Sequence, residues 1–293
     1  MEKQLLKEYK NGNYSVFLYT DGTKEKVTED DFFKADFPDS IDLKITNYCD
    51  LNCPMCHENS SVKGAHADLE ATFLKTLQSG TELAIGGGNP LSHPNLIDFL
   101  QRMKKQGVIC NITVNERHLI ANNRLIEGLI EEKLVWGVGV SVGENPSDEA
   151  VEFLRSYKNA VAHVICGIAT VNTVKKLKDV KVLLLGYKRK GRGEDHFSPR
   201  IEKNILDLKR NIGLLFNYFS STSLDNLAIE QTQIKSHITK REWQKRFMGK
   251  DGECSMYIDL VAKRYAISSV SEATYPIEDD INKMFHHVQS QIE

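Results

Sequence analysis

No stretch of the 293 residues approaches the roughly 20 consecutive apolar positions that a membrane span requires. The opening MEKQLLKEYKNGNY also lacks the apolar centre of a secretion signal. Charge of one sign is missing too. Lys plus Arg number 38 against 40 Asp plus Glu, a formal net charge of −2, so no global field draws the chain to nucleic acid or to an anionic membrane. Six cysteines are too few, for this length, for a secreted disulfide framework, and the expected location is the reducing cytoplasm. Low-complexity tracts and internal repeats are absent. What remains is an ordinary globular composition, 41% hydrophobic and 27% charged, long enough for one large α/β domain or two smaller ones.

The pattern along the chain is a strand–helix rhythm. YSVFLYTDGTKEKVTE predicts a hairpin around Asp21-Gly22, and Pro38 closes this extension over 1–39. From Ile41, strands alternate with helices: IDLKIT, ELAIGGG, VICNITVN, LVWGVGVSV, HVICGIA and VKVLLLGY are the six expected strands. Helices are expected over ADLEATFLKTLQSG, after Pro94 up to Gly107, over about 118–132, 147–158 and 171–178, and from Ser198-Pro199 to near Gly213. GLLFNYF is a candidate seventh strand. Such alternation implies a parallel sheet with right-handed crossovers, closed or partly closed as a barrel over 40–220. After 221 the rhythm breaks. Thr239 can cap a helix, MYIDLVAKRYAISSV alternates as a β-hairpin, and 278–291 suits a terminal helix, so 221–293 reads as an α+β appendage.

Successive strand residues face opposite ways. In the first barrel strand Ile41, Leu43 and Ile45 share one face, and Asp42, Lys44 and Thr46 the other. In the third, Asn111, Thr113 and Asn115 oppose an apolar set; in the fourth, Gly137, Gly139 and Ser141 do. Since a barrel's outer face packs on helices, the apolar sets point outward. The inner face is then polar and partly hollow, unlike the bulky layers that fill a complete barrel. A sheet with one face in water would give the same alternation, but the helices between the strands argue against it. Cys110 and Cys166 fall on apolar faces and read as packed core thiols. His163 lies on the opposite face and either reaches the lumen or is a satisfied structural histidine.

Three of the cysteines, Cys49, Cys53 and Cys56, crowd into ITNYCDLNCPMCHENS, directly after the first barrel strand. Thiolates are the usual ligands of iron–sulfur clusters, and three of them leave one iron of a four-iron cluster open to another ligand. A structural zinc site wants four ligands, which here requires His57, the residue after Cys56. Three packed structural thiols are the remaining alternative.

The C-x3-C-x2-C spacing at a strand's C-terminal end resembles the radical S-adenosylmethionine (SAM) superfamily. One βα unit later, AIGGGNPLSHP is similar to that family's Gly-Gly-Glu-Pro segment, which holds the SAM amino group. Gly87, Gly88, Asn89 and Pro90 align with it, Asn replacing Glu, so the acceptor oxygen is kept and the charge lost. The resemblance covers about 41–220 and implies a partial (β/α)6 barrel of TIM type with its site at the C-terminal strand ends. It implies a 4Fe-4S cluster on Cys49, Cys53 and Cys56, and SAM contacts from Met55, Asn115 and Ser141 besides the glycine segment. It further implies an oxidoreductase-type enzyme that cleaves SAM reductively to a 5′-deoxyadenosyl radical, with a low-potential donor such as flavodoxin or ferredoxin as partner.

Inner-face residues Asp42, Lys44, Asn111 and Thr113 are candidate substrate contacts. So are Lys188, Arg189 and Arg192 of YKRKGRGED, which could hold a phosphate or simply be solvated. Cys254 is a candidate hydrogen-atom donor or a packed thiol. Two substrate classes remain open, a peptide or protein and a nucleotide or other phosphorylated small molecule. A non-catalytic iron–sulfur or zinc protein is the alternative from another class.

Overall fold

The computed structural model describes residues 3–292. Its organising element is a ten-stranded sheet, preceded in the chain by a three-stranded antiparallel one. That first sheet is formed by β1 (Leu5–Asn11), β2 (Tyr14–Tyr19) and β3 (Lys24–Val27). The expected hairpin at Asp21-Gly22 joins β2 to β3, with Gly22 at φ 84°. A second turn, at Gly12, adds the strand β1, which the reading of the sequence omitted.

Strands β4 (Ser40–Thr46), β5 (Glu82–Gly87), β6 (Ile109–Asn115), β7 (Gly137–Ser141), β8 (Ala160–Ile165) and β9 (Lys181–Leu185) are the six expected parallel strands, paired in chain order. Two more parallel strands flank them: β10 (Ser221–Leu224) beside β9, and β11 (Ser255–Asp259) beside β4. Strands β12 (Arg264–Ala266) and β13 (Tyr275–Pro276) continue antiparallel from β11. The hairpin expected after 221 therefore extends the central sheet. In the hydrogen-bonded order β10 and β13 are the two ends, so the barrel is open between them.

Helices α1 (Leu96–Gln106), α2 (Glu116–Ala121), α3 (Asn123–Glu131), α4 (Asp148–Ser156), α5 (Val171–Lys176), α6 (Arg192–His196) and α7 (Pro199–Leu215) fall between the barrel strands. They are followed by α8 (Asn226–Thr232), α9 (Lys240–Arg246) and α10 (Ile281–Ser290). Local signals set many of their ends. Gly107 at φ 79° closes α1 by donating to Lys104 O, Ser147 caps α4, and Thr239 and Glu242 form a capping box on α9.

Three expectations fail for physical reasons. ADLEATFLKTLQSG forms only a 3-10 turn at Thr72–Thr76. Arg102 and Gln106 of α1 donate to the Leu69, Leu74 and Leu77 carbonyls, so tertiary bonds replace helical ones. The helix over 118–132 is two helices, divided at Asn122 (φ −124°, ψ 27°). Gly213 does not end α7, and GLLFNYF is not a strand. The stripe Ile201, Ile205, Leu208, Ile212 and Leu215 carries the helix through the glycine, and the strand forms at Ser221 instead.

The inward and outward faces divide as the alternation predicts. Ile41, Leu43, Ile45, Ile112, Val114, Val138, Val140, Val182 and Leu184 are buried under helices. Their neighbours on the other face, among them Asn111, Thr113, Asn115, Ser141 and His163, stay half-accessible, and Asp42 is exposed. Register stacks these inner residues in layers: Tyr257–Asp42–Ala84–Asn111–Gly137 across one, Asn115–Ser141–His163–Leu183 across another. The glycines of β7 make the space that neighbouring side chains use. A Cβ on Gly137 would lie 2.7 Å from Asn111 Oδ1, and one on Gly139 2.3 Å from the His163 ring.

The three-stranded sheet meets the barrel at the N-terminal ends of its strands. Asp39, 1% exposed, pairs with Lys26 at 2.6 Å and accepts from Tyr14 Oη at 2.8 Å and Asn11 Nδ2 at 2.7 Å. Lys24 pairs with Glu82 at the start of β5, and Lys181 Nζ donates to Asp21 O.

Candidate active site

The cysteine loop leaves the top of β4 and folds back beside it. Asn47 N donates to Ala65 O at 2.8 Å, Ser61 N to Asn47 O at 3.1 Å and Cys49 N to Ser61 O at 3.0 Å. Asn52 and Asn59, at φ 48° and 54°, take the left-handed turns between these limbs, where asparagine is tolerated. Cys56 N bonds Cys53 O at 3.2 Å, closing the tight turn that brings these two cysteines together. All three are free thiols, partly accessible. Burial raises the Cys49 and Cys53 pKa values, and in each case neighbouring thiols of the triad add to the rise.

In or against the loop, Asn47 Oδ1, Ser60 Oγ and His118 Nδ1 are buried with no hydrogen-bond partner. The His118 Nε2 atom lies 2.7 Å from Asp50 Oδ1, and Cys49 Sγ, Asp50 and His118 offer ligand atoms within 4.8 Å of one another. Three free thiols on one loop, with unpaired buried polar atoms in or against that loop, form a donor set that suits a thiolate-ligated iron–sulfur cluster. His57 makes a poor fourth zinc ligand: its Nε2 faces Glu58 at 3.4 Å and Lys188 at 3.5 Å.

The glycine segment lies against the root of this loop. Gly88 N donates to Thr46 O at 2.8 Å and Asn89 N to Tyr48 O at 2.6 Å. A Cβ on Gly87 (φ 113°) would fall 2.3 Å from Thr46 O, and one on Gly88 2.1 Å from Tyr48 O, so both positions require glycine. Asn89 Oδ1 accepts from Leu91 N at 3.2 Å and caps the short turn begun by Pro90. Asn115 caps α2 through Arg117 N, and Ser141 stands beside it in register. Met55 packs on Ile168, Tyr187 and Ile201 at the top of β8 and β9.

Beneath the loop the lumen holds a charged network. Lys44, 6% exposed, joins Glu58 at 2.5 Å and Asp259 at 2.9 Å, and Tyr257 Oη donates to Glu58 at 3.0 Å. Burial alone would raise the Glu58 carboxyl, but His57 and Lys44 hold it well below the usual range. Asp42 goes the other way. It opens into the lumen, yet enough protein surrounds it that burial raises its pKa, against the pull of Lys188. His163 is pushed down to about 4, by burial first and Lys188 second, and is neutral at physiological pH.

Of the basic loop, Lys188 reaches the lumen and donates to Ser269 Oγ at 2.7 Å. Arg189 turns outward, pairs with Glu194 at 2.7 Å and stacks on Phe197. Arg192 is committed to the cysteine loop, donating to Cys53 O and Ser60 O. The structure therefore does not gather the three cations into one phosphate-sized cradle. Cys254 precedes β11, at the opposite end of the sheet from the cysteine loop. It is buried against Tyr14 Oη at 3.6 Å, a position that does not support a hydrogen donor at the mouth. Burial pushes Cys166 up to about 12 and Cys110 higher still, as expected of packed thiols.

Glu58, Tyr257 and Asp259 were not singled out from the sequence. The signal for two of them was present: in SMYID the odd positions oppose Met256 and Ile258, as the inner face of any barrel strand would. What hid them was the pairing of β11 with β4.

No family model and no curated protein matches the chain. Its fold is similar to that of Streptococcus suis SuiB. Against SuiB bound to precursor peptide SuiA, the TM-score is 0.58 at 12% identity, over 88% of this chain and 67% of that one. Against SuiB bound to S-adenosylmethionine it is 0.56 at 12% identity, over 88% and 66%. The chain thus spans about two thirds of SuiB's length. At this identity the likeness is one of fold, and the TIM-like α/β barrel expected from the radical SAM resemblance is the fold the chain has. No helix among the described residues is long and apolar enough to cross a membrane.

Proposed function

We propose that this chain is a radical SAM enzyme, with Cys49, Cys53 and Cys56 holding a 4Fe-4S cluster at the mouth of the barrel. The observation that carries the reading is the triad itself: three free, partly accessible thiols in C-x3-C-x2-C spacing on one loop whose root is clamped by the glycine segment. When bound, the cluster supplies the electron that cleaves SAM to methionine and a 5′-deoxyadenosyl radical, which takes a hydrogen atom from the substrate. Gly87, open at the strand end, leaves backbone room for the SAM amino group beside Asn89. Asn115 and Ser141, in register on the next strands, offer polar atoms for its carboxylate or ribose. A low-potential flavodoxin or ferredoxin would deliver the electron.

The substrate would lie in the lumen over Asp42, Asn111 and Thr113, where Tyr257 and Lys188 also face inward. A peptide or protein is the favoured class. Two observations support it: the barrel is open along one side between β10 and β13, and the fold resembles that of a protein crystallised with a precursor peptide. The engagement of Arg189 and Arg192 within the chain speaks against a phosphorylated substrate.

Anaerobic reconstitution with iron and sulfide should give a brown protein that, once reduced, releases 5′-deoxyadenosine from SAM. Replacing any of Cys49, Cys53 or Cys56 by Ala should abolish that release. A reduced, iron-loaded protein that leaves SAM intact would favour a non-catalytic role.

A further inference from the structure

The segment after β9 is shaped to the cysteine loop. Gly191, at φ 57°, lies so close that a Cβ there would sit 2.6 Å from His57 O. One on Gly193 would lie 2.5 Å from Lys188 O and 3.3 Å from Met55 O. Between these glycines Arg192 makes three bonds to the loop: N to Asn59 Oδ1 at 2.7 Å, Nε to Cys53 O at 3.0 Å and Nη2 to Ser60 O at 2.9 Å. Its forked guanidinium spans both ends of the limb that carries Cys53 and Cys56, a geometry that the single point charge of lysine cannot reproduce. Unlike Arg189, it faces no carboxylate within ion-pair distance among the described residues, so no ion pair offsets its positive charge where it bonds the Cys53 carbonyl.

Resting on the cluster reading above, we infer that Arg192 is a positioning residue with an electrostatic effect. It fixes the 53–60 limb of the loop before any cluster binds, and its charge raises the reduction potential of the cluster that the loop then holds. The physical reason is plain. Uptake of an electron makes a thiolate-bound cluster more negative by one charge, and a nearby cation stabilises that form.

Two measurements test this, one without the cluster and one with it. In cluster-free Arg192→Gln protein, amide hydrogen exchange over 53–60 should quicken by roughly tenfold or more, as charged-donor bonds to the limb are lost. In the reconstituted protein, a mediated potentiometric titration followed by electron paramagnetic resonance should find the Arg192→Gln midpoint more negative than the parent's. Arg192→Lys should restore the potential but not the slow exchange, because it returns charge without the fork. Exchange over 53–60 as slow as the parent's, or a midpoint equal to the parent's, overturns the proposal. If Arg192→Gln takes up no cluster, the exchange measurement decides, since it needs none. A parent protein that takes up no cluster would defeat the proposed function while leaving the exchange test of Arg192 standing.

Discussion

Lys44 is the residue on which the lumen's charges turn, because among the described residues it alone bridges Glu58 from the loop and Asp259 from β11. Lys44→Met should strand two partly buried carboxylates and cost about 3 kcal/mol, read as a lower denaturant midpoint with unchanged slope. The pH dependence follows from the depressed Glu58 carboxyl. Its contribution to stability is full above the unfolded value, about 4.3, and is lost as pH falls through the lower folded value. Lys44→Met should therefore lose stability less steeply below pH 4 than the parent does, an outcome acid titration of the folded fraction would check. His163 works in another window. Its folded pKa near 4 lies below the ordinary 6.5, so the unfolded chain binds its proton first and stability declines as pH falls from 6.5 toward 4. A ring-resonance titration should find His163 still neutral at pH 5.5; a midpoint near 6.5 would mean that the ring is not enclosed in the lumen.

At the scale of elements, glycines decide where backbones meet. Gly88→Ala would drive a Cβ into Tyr48 O, so the β5 turn and the cysteine loop must part. We expect at least about 1 kcal/mol of destabilisation and a several-fold weaker SAM affinity, checked by thermal unfolding and equilibrium binding to the reconstituted protein. Gly139→Ala acts within the lumen instead. It should displace the His163 ring and reduce turnover of substrate more than release of 5′-deoxyadenosine, because the glycine lies on the inner wall and not at the loop. Equal loss of both would argue that the lumen is not where the substrate binds.

Across the whole molecule, the N-terminal sheet is joined to the barrel through Asp39, Glu82 and Lys181. Asp39 accepts from Asn11 and Tyr14 and balances Lys26, all buried or nearly so. Asp39→Ala should cost about 3 kcal/mol or more and loosen the sheet from the barrel, seen as faster proteolysis within 1–39 in the folded protein. A mutant as resistant as the parent would mean that the sheet is held by other contacts.

The sequence by itself determined the six-strand alternation, the inward polar face, the cysteine loop at a strand end and the glycine segment one unit later. These rest on period and spacing, which are local properties. It did not reveal that Ser255–Asp259 would pair with β4, because such pairing is long-range and its alternation suits a hairpin equally well. Only the tertiary structure therefore brought Tyr257 and Asp259 to Lys44 and Glu58. It also turned a basic loop that read equally as a phosphate site or a solvated segment into a strap, with Arg192 spent on the carbonyls of the cysteine loop. Charge is visible in a sequence, but the partner that satisfies it is chosen by packing.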